Sequence, residues 1–281
     1  MFSKLLKHEW KANAALLGLL SLCAIGAGLL GGGVLWAIRA LSEQANEQLQ
    51  GSLTGISGLS TLLFFLILSI AAYAFAVLFI NVMRFYKSRY TDEGYLTFIL
   101  PVTAKQIFLS SFVYMLLWQV ISVVVVAIAM ACMLLIGLPK EVLETIKPIA
   151  SVLTGLDGLL ETLPGYRLYS VLLTVQVVFK PVYGIVLLMT SVTLGAVIAK
   201  KHKIWTAIGM YFGIQLAVGI VESILSAVPT LMLLFTGLMG GENYLYNLSV
   251  TAGLGIALQV GLSIGFFFLS TNLMRKKLNL P

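Results

Sequence analysis

Six long apolar runs constrain this chain more than any other feature. They are Ala14 to Ile38, Leu59 to Met83, Ile107 to Leu138, Leu168 to Ala199, Trp205 to Leu238 and Leu248 to Met274. A bilayer core about 30 Å thick is crossed by roughly 20 apolar residues of helix. Each run is long enough to span, and the third to fifth have length to spare for tilt or kink. Backbone groups in lipid must be satisfied within the segment, and these runs are too long and unalternated for barrel strands. Composition points the same way, with 59% hydrophobic and only 10% charged residues, against about 25% charged in soluble domains. So few charges cannot coat a globule of 30.4 kDa. A soluble enzyme, a disordered regulator and a disulfide-stapled secreted domain are thereby excluded. The only cysteines, Cys23 and Cys132, sit in apolar runs and have neither disulfide nor metal-type spacing. The expected fold is an all-α membrane protein: one transmembrane domain over 1–281, built as a six-helix bundle.

Six crossings put both termini on one side, and the charges choose it. The N-terminus, the second-to-third loop, the fourth-to-fifth loop and the C-terminus together hold thirteen of the eighteen Lys and Arg residues. Only Glu9, Asp92 and Glu93 oppose them. The other side has Arg39, Lys140, Lys147 and Arg167 against seven carboxylates. This asymmetry predicts cytoplasmic termini in a multi-pass protein of the cell membrane. The net charge of +7 is thus placed against a lipid surface, and no nucleic-acid partner is expected. Cations before the first run resemble a signal peptide, but that run is about twice a usual signal core, which favours an uncleaved anchor.

Residues 2–12 read as a short amphipathic elbow helix. Lys4, Lys7, His8 and Lys11 form a polar face; Phe2, Leu5, Leu6 and Trp10 lie opposite. It serves either as an interfacial anchor or as a flat elbow toward a cytosolic partner. The outer loop 139–165 is punctuated by Pro139, Pro148 and Pro164, and Asn247-Leu248-Ser249 fits a glycosylation sequon. Gly28 and Gly32, Gly209 and Gly213, and Ala257, Gly261 and Gly265 recur at four-residue spacing. That spacing suits close helix packing, within the bundle or along a dimer seam. Two charges fall inside spans. Lys180 lies about 19 residues, roughly 28 Å, from Ala199, and Glu222 about 17 residues, roughly 26 Å, from Trp205. At matching depth on consecutive helices they are expected to pair or share a polar vestibule, with snorkelling as the alternative. Pro181 frees a carbonyl beside Lys180 and predicts a kink.

Enzymatic chemistry is not legible. The chain has no G-x-x-x-x-G-K-[ST] phosphate loop. Its two histidines, His8 and His202, both fall at one membrane edge, and no Ser/His/Asp set lies at bilayer depth. Neither a cofactor nor a metal is expected in this chain.

The most informative stretch separates the second and third spans, from Arg84 to Gln106. Thr91 is placed to cap a short helix with Asp92 and Glu93 in its first turn, favourable at the positive end of a helix dipole. Gly94 follows, then an apolar cluster of Tyr95, Leu96, Phe98, Ile99 and Leu100, stopped by Pro101. Thr103-Ala104-Lys105-Gln106 reads as a capping box opening the third span. In order, Glu93-Gly94, Leu100-Pro101-Val102-Thr103 and Gln106-Ile107-Phe108-Leu109 resemble the type-two permease family of ATP-binding-cassette exporters. Ser110-Ser111 stand where that family often has Gly-Lys. The resemblance implies a permease that dimerises, homo- or heteromerically, and docks cytosolic ATPase subunits through a coupling helix at 91–100, ended by Pro101. ATP and magnesium would be held by those partners. The implied function is outward movement of an amphipathic or hydrophobic cargo, a peptide, drug or lipid. A non-transporting sensor or scaffold that holds an ATPase, and a secondary carrier, are the rival readings.

Overall fold

The computed structural model describes residues 2–44, 49–91, 94, 103–138, 165–199, 201–237 and 244–276. They form six helices: α1 (Phe2–Gln44), α2 (Leu49–Tyr90), α3 (Ala104–Gly137), α4 (Tyr166–Ile198), α5 (Lys203–Gly237) and α6 (Tyr244–Lys276). No strand occurs among the described residues. All six helices are long and apolar enough to cross a membrane. Most extend beyond the apolar runs that announce them, because flanks such as Ala40 to Gln44 are polar yet favour helix. The surface is inverted relative to a soluble protein. Phe75 is 78% and Trp205 74% exposed, while Ser110, Thr190, Ser191 and Thr193 are buried. Apolar side chains outside and hydroxyls inside are consistent with a multi-pass membrane protein.

The first turns differ from expectation. Residues 2–12 are not a separate elbow helix but the start of α1, which runs on unbroken. No Gly or Pro interrupts the chain between Trp10 and Ala14, and packing holds the junction. Trp10 stacks on Trp118 of α3, with ring centroids 5.1 Å apart and an interplanar angle of 24°. Glu9 is buried beside it in sequence, while Lys7, His8 and Lys11 remain exposed. The turns at 45–48, 139–164 and 238–243 lie outside the described residues.

Where the sequence suggests one domain, the packing divides into two compact units. One joins α1 from Lys4, α2 through Asn81 and α3 from Leu117. Its seam is the small-residue face of α1. A Cβ on Gly28 would strike the backbone carbonyl of Ala129, and one on Gly32 would lie 2.7 Å from Ile136 Cβ. Ser21 Oγ and Tyr73 Oη share a hydrogen bond of 2.8 Å between α1 and α2.

The second unit takes α2 from Val82, α3 through Leu116, and α4 to α6. Here α4, α5 and α6 pack on one another. Gly165 opens α4 in the left-handed region at φ 89, where a side chain would be strained. The helix then continues through Pro181. Proline has no N–H, so the Val177 carbonyl loses its helical donor. The turn into α5 is tight: Ala199 is extended, its N–H donating 3.1 Å to the Gly195 carbonyl. Gly195 lets the helices meet, since a Cβ there would sit 2.5 Å from Ala207 N. By contrast Gly209, Gly213, Gly261 and Gly265 meet nothing within 4 Å among the described residues, where the close packing expected of them is not seen. Four-residue spacing permits close approach but does not choose which helix face turns inward.

This difference is measurable. Gly195→Ala should destabilise the protein by about 1–3 kcal/mol through overpacking against backbone. Gly213→Ala, at an open helical position, should be neutral or gain up to about 1 kcal/mol. Thermal unfolding in detergent compares them, and equal melting temperatures would refute the assignment.

Candidate functional site

Polar residues recur at helical spacing in each of the last three helices. On α4 they are Gln176, Lys180 and Tyr183; on α5, Gln215, Glu222, Ser223 and Ser226; on α6, Thr251 and Gln259. Residues three, four and seven apart share a helix face. These faces, with Gly219, Leu225, Leu254 and Gly255, line one cavity of about 500 Å³. The floor toward the α4–α5 turn is apolar: Tyr183, Leu187 and Val218 pack with Phe179, Tyr211, Ile214, Leu258, Leu262 and Phe266.

Lys180 and Glu222 both line this cavity, so they share a polar vestibule as their matched depth suggests. They do not form an ion pair, and among the described residues Glu222 is bonded by Gln259, whose Nε2 donates to its Oε1 at 3.2 Å. That bond fixes the Gln259 amide, because its own oxygen cannot face a carboxylate. Gln259 Oε1 is left without a partner, as is the Tyr183 hydroxyl. Both residues are deeply buried, at 5% and 6% exposure. The two charges stand out in the sequence; the polar stripe around them is plain on α4, at i, i+4, i+7, and weaker on α6, where Thr251 and Gln259 are eight residues apart. The cavity offers a cation, a carboxylate, amides and hydroxyls. No group of three or more His, Cys, Asp and Glu suited to a metal exists among the described residues.

The other notable polar region is where α2 ends and α3 begins. Thr103 and Gln106 form the capping box: Thr103 N donates to Gln106 Oε1 at 3.2 Å, and Gln106 N to Thr103 Oγ1 at 3.4 Å. The Thr91 hydroxyl donates back to the Lys87 carbonyl at the end of α2, and Gly94, itself helical, donates its N–H to Thr91 O at 2.8 Å. Asp92, Glu93, Tyr95, Leu96, Phe98, Ile99, Leu100 and Pro101 lie outside the described residues.

Both flanks of this segment are tied inward. Arg89 belongs to the cations that set the topology, yet it is buried and donates Nη2 to Ser111 Oγ at 3.0 Å. Tyr90 donates its hydroxyl to Thr193 Oγ1 at 2.8 Å, across to α4. Lys203 Nζ reaches the Tyr90 carbonyl at 3.5 Å, and Ser270 donates to Thr190 at 3.0 Å. Edge-to-face rings continue the joint, from Phe85 to Phe108 at 6.3 Å and on to Phe267 at 5.4 Å. Sequence alone gave no signal for these long-range partners.

The chain matches no known family, no curated protein and no solved structure. Its function is therefore argued from its own residues.

Proposed function

We propose that this chain is the permease subunit of an ATP-driven exporter. Separate cytosolic ATPase subunits would dock on the segment 91–101, and a second permease would complete the pathway. Cargo of amphipathic or hydrophobic character would pass outward by alternating access, powered by ATP and magnesium held in those partners. The cell membrane, with both chain termini cytoplasmic, is the location that fits.

One observation carries the reading: the two flanks of the apolar 95–100 segment are locked to the helix bundle. Tyr90 bonds Thr193 of α4 on one side, and on the other Phe108, early in α3, packs against Phe85 and Phe267. A segment so anchored passes a push from a bound partner directly into α2 and α3. Thirteen of eighteen Lys and Arg residues lie on the loops and termini of that side, which is the side an ATPase can reach. The other loop there, from Lys200 to His202, is too short to carry a second docking helix.

The decisive experiment is affinity purification of the tagged chain from its native membrane in mild detergent. An ATPase subunit should copurify with it, and cargo should stimulate hydrolysis in the reconstituted complex. Recovery without any ATPase refutes the proposal; an ATPase that never responds to cargo shifts the reading to a sensor.

A further inference from the structure

A cavity inside apolar helices that holds both signs of charge, unpaired with each other, has a definite chemical preference. Lys180 has no hydrogen-bond or ion-pair partner among the described residues, and Glu222 has only the Gln259 amide. An anion alone would meet Glu222, and a cation alone would meet Lys180, each an unfavourable encounter. A ligand with both charges satisfies both walls.

We propose that the cavity between α4, α5 and α6 binds a zwitterion, a ligand carrying an ammonium and an acidic group on one small organic body. Its ammonium lies with the Glu222 carboxylate, which the Gln259 amide holds in place. Its acid lies with the Lys180 ammonium. Tyr183, buried and with a hydroxyl that has no hydrogen-bond partner, also lines the cavity. Size supports an organic ligand rather than an ion. The volume of about 500 Å³ falls within the roughly 300–1,000 Å³ of small-molecule sites. Two sources share this chemistry: a phosphoethanolamine lipid headgroup and a free amino acid or dipeptide. The inference stands on the cavity alone and needs neither the ATPase nor the exporter reading.

Binding to the purified full chain tests it, by thermal unfolding in detergent with titrated probes. One arm compares dihexanoyl phosphatidylethanolamine with dihexanoyl phosphatidylglycerol, which lacks the ammonium. The other compares the dipeptide Ala-Ala with its N-acetyl and amide forms, each lacking one charge. Saturable stabilisation by a zwitterion, at least tenfold tighter than by its single-charge analogues, is the expected result; the arm that responds names the source. Glu222→Gln, which keeps a hydrogen-bonding partner for Gln259, and Lys180→Met should each weaken that binding at least tenfold. Their unliganded melting temperatures report whether they fold. If no zwitterion stabilises the protein, if single-charge analogues bind equally, or if folded variants bind as wild type, the proposal is overturned.

Discussion

Replacing Leu96 and Phe98 together with Ser is expected to release the ATPase, or to leave it bound with hydrolysis uncoupled from transport. The flanking sequence puts these apolar residues on the loop that charge asymmetry assigns to the cytosol. Burying a large apolar side chain contributes about 1.5–3 kcal/mol, so losing two removes about 3–6 kcal/mol of docking energy. At about 1.4 kcal/mol per tenfold, affinity should fall by roughly two to four orders of magnitude. The six helices should still insert, since neither residue lies in any of them. ATPase retained on the column and transport into vesicles are the two readouts. A double variant that keeps its ATPase and transports normally removes the main support for the exporter.

The second large effect is structural and independent of any partner. Gly28→Leu should strongly destabilise the unit built by α1, α2 and α3. Its first carbon already collides with the Ala129 carbonyl, a backbone group that cannot swing aside as a side chain can. Overpacking ordinarily costs about 1–3 kcal/mol, and a collision with backbone belongs at or above the upper end. Gly26→Leu provides the control on the same helix, because nothing lies within 4 Å of its would-be Cβ. Detergent melting curves should separate the two variants clearly. A Gly28→Leu protein that melts with Gly26→Leu would mean that α1 and α3 do not meet at this point.

Much of the architecture was legible because lipid imposes a simple rule on sequence. Every apolar run became a helix, since backbone groups at that depth have no other way to be satisfied. The Thr103–Gln106 box was equally plain, because both partners of its hydrogen bonds sit within one turn. Legibility failed where a residue's role depends on another helix. The spacing of Gly28 and Gly32 and that of Gly209 and Gly213 look alike, yet among the described residues the first pair meets a neighbour and the second does not. Arg89 reads as a surface cation, but Ser111 on α3 draws it inside. Lys180 and Glu222 could be placed at one depth by counting residues; that Gln259 would take the carboxylate could not.

The boundaries between the two packing units fall inside α2, at Asn81 and Val82, and inside α3, at Leu116 and Leu117. This has a consequence for biosynthesis. A nascent chain emerges N-terminus first and folds by units where it can. The α1–α3 unit has its helices as soon as α3 is made. The near ends of the same α2 and α3 must wait: Tyr90 has no Thr193 until α4 is complete, and Phe108 has no Phe267 until nearly the last turns of α6. Throughout that interval Arg89–Ser111 and Phe85–Phe108 can already join the two flanks of the 91–103 segment, but their contacts to α4 and α6 are missing. The flanks of residues 91–103 thus gain their full set of contacts only with the final helix; if the segment docks an ATPase as proposed, a half-made chain would offer it no firm seat.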